Sequence, residues 1–469
     1  MIILVIKMKE KSIWQDKLNF DGIKLDKNID ADVLIIGGGM TGLSTAYHLN
    51  DSNLKVALVD SNSILESVTT KSTGKITFLQ DVLINIDDDY LDKYVQSQIL
   101  ACNLLEDIIN INNIECDYMK VKHRLFSNEK IYKLETLYNK IKKYGVVFED
   151  NYIEAESAVF NPGKYLYGLK KCCKGVSIYE NTRAYEILKD GETFIVKTNC
   201  GDIRCKDIVL ATHYISFFKP FFLPMRSYLE KSCLCAVKTD QIDDISGISI
   251  DNNVISYRYY KDYYIYLSEC KSTSDLNSDK SFKKIIKNFD DVSYVWSNKD
   301  IMTVDSMPYI GEIVPHIFGG TGYNTWGMTN GTLAGKIISD LILNNNNEYE
   351  FLKFNRMINI KNYIKFPMVI NNTLASFFKT KLIRPKEKDV FYKVIDGNSV
   401  AIYDDGNSVH AVYNRCPHLK CGVVFNKTEK IWECPCHGSK FDIDGKCIEG
   451  PSNFDIKYKG NLDDILKNE

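Results

Sequence analysis

Two short motifs near the end of the chain carry residues that bind metals. The first is Cys416-x-His418, and a short strand-forming stretch separates it from the second, Cys434-x-x-His437. Two thiolates can bind one iron of a [2Fe–2S] cluster while two neutral imidazoles bind the other, which raises the reduction potential above that of an all-cysteine cluster. Two cysteines and two histidines also satisfy tetrahedral zinc, so a structural zinc site is the alternative.

The spacing of these motifs resembles that of the Rieske iron–sulfur family. The resemblance extends to a later Gly450-Pro451 loop. It implies that a Rieske-type [2Fe–2S] cluster is bound by Cys416, His418, Cys434 and His437. It also implies a disulfide beside the cluster, between Cys421 and Cys436. Disulfides are rare in reducing compartments, so the cluster loops are expected to shield this one.

Two positions after the second motif bear on the reduction potential of the cluster. In Rieske proteins of higher potential a serine hydroxyl donates a hydrogen bond to a bridging sulfur, and Ser439 holds that position. Those proteins carry a tyrosine two residues later, whereas this chain has Phe441. The chain therefore has one of the two hydrogen-bond donors and lacks the other. This predicts an intermediate reduction potential within the family's range of roughly −150 to +300 mV.

The other end of the chain carries a glycine-rich dinucleotide fingerprint. An apolar stretch, residues 33–36, leads into Gly37, Gly39 and Gly42 and then into an amphipathic helix. These glycines allow a tight turn, a close approach to a pyrophosphate, and close packing of helix on strand. A second apolar stretch ends at Asp60, where the carboxylate is expected to accept hydrogen bonds from a ribose. Strand, glycines, helix, strand and acid in this order predict a dinucleotide site.

Other segments indicate that the dinucleotide is FAD. Residues 206–213 read as a strand ending in Ala-Thr-His, and residues 319–342 read as a glycine-rich turn followed by a helix. Together with the loop 68–75, they resemble FAD-dependent oxidoreductases of the D-amino-acid-oxidase (DAO) type that carry a C-terminal Rieske domain. The resemblance implies FAD contacts at Gly37, Gly39, Gly42, Asp60, Thr73, Lys75, Ala211, Thr212, Gly322, Trp326, Gly327 and Met328.

The same resemblance predicts the fold class and the domain organisation. The fold class is α/β (α+β), with a Rossmann-like FAD-binding domain, a mixed-sheet substrate domain, and a small all-β Rieske domain at the end. A length of 469 residues suits two to three domains. The predicted parts are an N-terminal extension (1–28), a DAO-like domain (29–342), a connector (343–384) and the Rieske domain (385–469). Within the DAO-like domain, nucleotide-binding parts are predicted at about 29–80, 180–220 and 300–342, with substrate and cap parts between them, and residues 85–144 are predicted to be largely helical.

Charge and hydropathy limit the partners and the location. The formal net charge of −2 gives no electrostatic reason to expect binding to nucleic acid or anionic membranes. The apolar residues 1–6 are too short to span a bilayer and lack the flanks of a signal peptide. Met8 is an alternative translation start. A cytoplasmic protein without a membrane span is predicted.

The pairing of the two cofactors predicts a redox enzyme. We expect it to oxidise a small organic substrate, an amine or an amino acid, by hydride transfer to flavin, and to pass single electrons through the cluster to an external acceptor, a protein or a quinone-like molecule. The alternative is an electron-transfer or redox-sensing protein that exchanges electrons with a partner protein and has no small-molecule substrate. A flavoprotein with a structural zinc module is the third possibility.

The sequence identifies the substrate-binding residues only weakly. Arg258 and Arg226 are candidates to bind a substrate carboxylate, since a guanidinium can bind a carboxylate with two hydrogen bonds. His213 and His123 are candidate bases, although packing roles are more common for histidines without an orienting neighbour. No catalytic residue is assigned.

Overall fold

The computed structural model describes residues 8–16, 18, 22–217, 226–273, 278–344, 348–359, 361–362 and 389–460. The α-helices of these residues are α1 (Met40–Leu49), α2 (Asp88–Ile111), α3 (Ile131–Ile141), α4 (Pro162–Cys172), α5 (Ser278–Ile286) and α6 (Gly327–Ile342). The strands, in chain order, are β1 (Ile29–Asp30), β2 (Val33–Ile36), β3 (Val56–Val59), β4 (Lys75–Ile76), β5 (Met119–Phe126), β6 (Val147–Glu149), β7 (Tyr152–Val159), β8 (Val176–Tyr179), β9 (Ala184–Asp190), β10 (Thr193–Thr198), β11 (Gly201–Cys205), β12 (Asp207–Leu210), β13 (Ser227–Lys238), β14 (Ile245–Ser249), β15 (Ser256–Tyr260), β16 (Tyr263–Ser272), β17 (Val292–Thr303), β18 (Tyr309–Val314), β19 (Ile317–Thr321), β20 (Val390–Ile395), β21 (Asn398–Asp404), β22 (Val409–Tyr413), β23 (Val424–Asn426), β24 (Ile431–Glu433), β25 (Lys440–Phe441) and β26 (Cys447–Glu449).

The dinucleotide fingerprint lies at the centre of a six-stranded sheet. Its strand order is β18-β19-β12-β2-β3-β8, and every neighbouring pair is parallel except β18 with β19. All four residues of β2 are buried, as expected of a parallel strand covered on both faces. Helix α1 packs against α6, where the Ser44 hydroxyl donates to the carbonyl of Thr332 at 3.0 Å. A small sheet of order β1-β11-β10-β9 extends this half of the molecule.

A large mixed sheet forms the part of the predicted DAO-like domain in which the sequence analysis expects the substrate. Its order is β17-β13-β16-β15-β14-β5-β7-β4, and β6 pairs with β7. Strands β13, β14, β15 and β16 lie in this sheet, in agreement with the mixed sheet that the sequence predicts. The largely helical prediction for residues 85–144 is wrong in part, because β5 interrupts it. Residues of β5 alternate between buried and exposed and pair with β14 and β7, so tertiary pairing decides their structure.

The predicted Rieske domain is built from two small antiparallel sheets. Strands β20, β21 and β22 form one, and β23 to β26 form the other. The core between them contains Trp432 and Phe441, both fully buried. The first metal-binding motif follows β22 and the second follows β24, so each loop begins at the end of a strand as the sequence predicts.

The predicted fold class is therefore confirmed. The domain boundaries stay predictions, and parts of the N-terminal extension and of the connector, residues 1–7 and 363–384, lie outside the described residues. The two possible translation starts, Met1 and Met8, differ only by residues 1–7, which lie outside the described residues. Among the helices that it does describe, none combines the length and the apolar composition that crossing a bilayer requires.

Candidate redox site

The two metal-binding loops bring both cysteines and both histidines together. The ring centroids of His418 and His437 lie 4.9 Å apart. Nδ1 of His437 is buried with no hydrogen-bond partner among the described residues, and Nδ1 of His418 is buried beside it. Cys416 and Cys434 are also buried, and a hydrogen bond between their thiols lowers the pKa of Cys416 to about 7. A buried imidazole nitrogen that lacks a hydrogen bond among the described residues, with paired sulfurs nearby, is what a cluster with mixed ligation requires.

The disulfide beside these loops is present. Cys421 and Cys436 are bonded, with their Cα atoms 6.6 Å apart. The sulfur of Cys434 lies within 4.8 Å of both bridged sulfurs. The bond therefore ties the first loop to the second next to the predicted ligands.

Ser439 is oriented towards a sulfur. It is fully buried, and its Oγ accepts a hydrogen bond from the backbone N–H of Ser452 at 3.0 Å. Its side chain also forms a hydrogen bond with Cys416, which contributes to the lowered pKa of that thiol. Because this contact lowers the pKa of the Cys416 thiol, the hydroxyl acts as donor to the sulfur. Phe441, at the position where Rieske proteins of higher potential carry a tyrosine, is buried and offers no hydrogen-bond donor from its side chain.

The glycine fingerprint opens into a cleft of about 1460 Å³, a volume that includes its solvent-exposed mouth. Asp60 lies at the end of β3, where its two oxygens accept hydrogen bonds from the N–H groups of Gly38 (2.7 Å) and Asn62 (2.9 Å). Burial raises the pKa of Asp60 to about 6. Gly37 has a φ of +109°, and a Cβ there would lie 2.4 Å from the carbonyl oxygen of Ala211. Only glycine fits this position, so the backbone itself forms the floor of the cleft.

Most of the residues predicted to contact FAD meet in this cleft. Those that line it are Gly37, Gly39, Asp60, Ala211, Thr212, Gly327 and Met328. Gly42 lies behind the floor, where a Cβ would lie 1.8 Å from the Gly37 carbonyl oxygen. Gly322 packs against Thr303 rather than lining the cleft. Thr73, Lys75 and Trp326 line an adjoining cavity instead. The FAD contacts of all twelve residues stay a prediction.

The Rieske domain closes one side of the cleft. Residues 448–453 of this domain are among the lining residues, and the side-chain amide of Asn62 donates to the carbonyl of Ile448 at 3.0 Å. Tyr214, which also lines the cleft, places its ring 6.0 Å from that of His418 and 6.3 Å from that of His437. No motif in the sequence indicates Tyr214, because only the docking of the two domains brings it to the histidines.

Buried ion pairs hold the two domains together. Lys299 Nζ lies 2.9 Å from Glu449 Oε1, and Lys71 Nζ lies 2.7 Å from Glu449 Oε2. Lys299 also donates to the carbonyl of Gly438, in the second cluster loop. A second group joins Lys231 to Glu433 at 2.6 Å. Successive side chains of a strand point to opposite faces of the sheet, and Lys299 of β17 and Lys231 of β13 lie on the face that contacts the Rieske domain.

The adjoining cavity encloses about 740 Å³ including its opening. It shares Ser72, Asn298, Asp300, Thr325 and Met328 with the cleft, so the two spaces meet there. Its wall carries acidic residues, Asp81, Glu230 and Asp300. No motif in the sequence indicates them, because they lie far apart in the chain.

The arginines predicted to bind substrate lie elsewhere. Arg258 is buried, and its guanidinium donates to the carbonyls of Thr73, Gly74 and Phe160. Arg226 donates to the carbonyl of Arg356 at 3.1 Å. Neither lines the cleft or the adjoining cavity in the part of the chain that the structure describes. Their guanidinium donors therefore stabilise loops of the protein, and their substrate roles stay a prediction.

The two candidate bases differ in position. His213 lines the cleft, and burial lowers its pKa to about 4. His123 is fully buried, with Nδ1 2.8 Å from the Ser246 hydroxyl, and burial lowers its pKa well below the ordinary value. Both are therefore neutral at pH 7, and His123 packs edge-on against Trp326.

The fold and the paired sites define the class of protein. The family model "FAD dependent oxidoreductase" (DAO) matches residues 32–341, and the model "Rieske [2Fe-2S] domain" matches residues 378–458. The chain belongs to the DAO family of FAD-dependent oxidoreductases and carries a C-terminal Rieske domain, so its cofactors are FAD and a [2Fe–2S] cluster rather than structural zinc.

Similar proteins agree with this assignment. The chain is 27% identical to YhfW of Bacillus subtilis (strain 168), named as a Rieske 2Fe-2S iron-sulfur protein, over 92% of this chain and 94% of that protein. The crystal structure of glycine oxidase from Geobacillus kaustophilus matches with a TM-score of 0.59 and 16% identity, over 70% of this chain and 100% of that one. L-Amino acid deaminase from Proteus myxofaciens matches with a TM-score of 0.59 and 15% identity, over 73% and 97%.

Proposed function

We propose that this chain oxidises a small amine or amino acid and passes the electrons singly to an external acceptor, a protein or a quinone-like molecule. The substrate loses a hydride from carbon and a proton from nitrogen, so that a C–N bond becomes C=N. FAD, when bound, accepts the two electrons, and the cluster carries one at a time. The position of Tyr214, in the wall of the cleft and against both histidine rings, supports this proposal most directly.

In this proposal the chain's residues divide into three groups. Cys416, His418, Cys434 and His437 hold the cluster, with Ser439 donating to a sulfur and the Cys421–Cys436 disulfide joining the loops. The residues lining the cleft hold FAD. The cavity at the junction holds the substrate and excludes bulk water, since Trp326 and Met328 are buried in its wall. A cytoplasmic location stays a prediction.

An anaerobic experiment tests this proposal. The protein is purified without air, and its absorption spectrum, iron and sulfide content, and EPR signal are recorded before and after dithionite. Amines and amino acids are then screened for bleaching of the flavin bands. Bleaching followed by the EPR signal of a reduced cluster is expected. If no compound bleaches the flavin while a reduced protein donor does so rapidly, the chain is an electron-transfer protein without a small-molecule substrate.

A further inference from the structure

Two acidic residues face each other across neighbouring strands of the large sheet. Glu230 of β13 pairs in register with Asp300 of β17, and both line the cavity beside the cleft. Like charges directly opposite each other destabilise an antiparallel sheet. A third carboxylate in the same wall, Asp81, accepts a hydrogen bond from Trp326 Nε1 at 2.7 Å. The fold therefore concentrates negative charge in this cavity.

Two buried polar atoms in the same wall lack hydrogen bonds within the described part of the chain. They are Ser232 Oγ and Asn298 Oδ1, and their residues are only 4% and 6% exposed. Both residues line the cavity. An unsatisfied buried polar atom costs about 1–3 kcal/mol. An N–H donor of a bound ligand would satisfy these acceptors.

Lys75 is the basic residue among the described residues that line the cavity. Its Nζ donates to the carbonyl of Gly247 and to the hydroxyl of Ser256 at 2.6 Å. Burial lowers the pKa of Lys75 well below its ordinary value, and the charge of Arg258 lowers it further. Lys75 is therefore a poor partner for the carboxylate of a ligand.

The pKa values of the two facing carboxyl groups agree with a site that lacks a cation beside them. Burial raises the pKa of Glu230 to about 7, and the charge of Asp81 adds to the shift. Burial likewise raises the pKa of Asp300 to about 7, with further increases from Glu230 and Glu449. A bound cation would favour the charged forms of both carboxylates.

We infer that this cavity binds the ammonium group of an aliphatic amine that carries no α-carboxylate, with Glu230 and Asp300 as its ionic partners. The inference rests on the proposed function and narrows its substrate class. An amino acid would place its own carboxylate among three acidic side chains, in a wall whose lysine already donates to the protein. Ser232 Oγ and Asn298 Oδ1 accept the remaining N–H groups of the ammonium ion.

Calorimetric titration of the holoenzyme tests this inference. The probes are propylamine, 2-aminobutanoate (the same molecule with an α-carboxylate) and butanoate. We expect propylamine to bind at least about tenfold more tightly than 2-aminobutanoate. Glu230→Gln and Asp300→Asn should each weaken propylamine binding by about tenfold. Glu192→Gln, at an exposed hairpin turn, is the matched control and should bind as the unchanged protein does.

A stability measurement separates a binding role from a structural one. Because Glu230 and Asp300 repel each other, Glu230→Gln and Asp300→Asn should keep or raise the melting temperature and retain FAD. Lower melting temperatures, or unchanged affinity for propylamine, would overturn the inference. Tighter binding of 2-aminobutanoate, with flavin bleaching by amino acids alone, would overturn it while leaving the proposed function intact. Absence of binding and bleaching with every amine and amino acid would overturn both.

Discussion

The ring of Tyr214 lies 6.0 Å from the ring of His418 while Tyr214 also lines the cleft. The half-buried side chain of Tyr214 therefore lies between the two predicted cofactor sites. We expect Tyr214→Ala to slow electron transfer between flavin and cluster several-fold, because a void replaces the packed ring. Tyr214→Phe keeps the ring and should transfer electrons at nearly the original rate. Stopped-flow absorption after rapid flavin reduction measures both rates, and equal rates in the two variants would remove Tyr214 from the path.

Ser439 should raise the reduction potential of the cluster. Its hydrogen bond with Cys416 lowers the pKa of that thiol, as donation to the sulfur does, and a hydrogen bond to sulfur stabilises the more negative, reduced cluster. Ser439→Ala is expected to lower the midpoint potential by roughly 60 mV, the one-electron equivalent of about 1.4 kcal/mol. Potentiometric EPR titration measures the change, with Ser408→Ala in an exposed turn as the control. An unchanged potential would show that the hydroxyl does not reach the cluster.

The Cys421–Cys436 bond should retain the cluster by joining its two loops. The bridged residues are 15 positions apart, and closing a loop of that size stabilises a fold by about 3 kcal/mol in the chain-entropy model. The double variant Cys421→Ala, Cys436→Ala is expected to contain less iron and sulfide per chain and to melt at a lower temperature. Cys200→Ala, which removes a free cysteine, should change neither. Full iron content in the double variant would argue against this role.

Acid should weaken the contact between the two domains. Burial alone would raise the pKa of Glu429, but the charges of Lys440 and Lys231 outweigh it and lower the pKa to about 2 from the ordinary 4.5. Because the folded pKa lies below the unfolded one, the stabilisation is complete above about pH 4.5 and is lost as the pH falls towards 2. The loss is on the order of 3 kcal/mol.

Melting temperatures between pH 3 and pH 7 measure this effect. Glu429→Gln should reduce the acid dependence and should lower the stability at pH 7, since it removes one of the carboxylates that balance the buried charges of Lys231 and Lys440. Glu192→Gln serves as the control. An acid dependence that is identical with and without Glu429 would assign it to other carboxylates.

The sequence by itself determined the parts whose chemistry lies in short, local spacings. The two cluster loops each offer one cysteine and one histidine within a few residues, so any fold that places a strand before each loop presents them together. The fingerprint from Gly37 to Asp60 is likewise one strand–helix–strand unit, and its turn needs glycine for steric reasons that are independent of the rest of the chain.

Only the tertiary structure decided how distant segments meet. Glu230 and Asp300 face each other because β13 and β17 pair in one register, and a shift of one residue would turn both side chains to the other face. The contact of Tyr214 with His418 depends on the docking of one domain against another. Arg258 matched the pattern of a substrate-binding arginine, but packing directs its guanidinium to loop carbonyls. Such contacts depend on the packing energy of the whole fold, which no local spacing encodes.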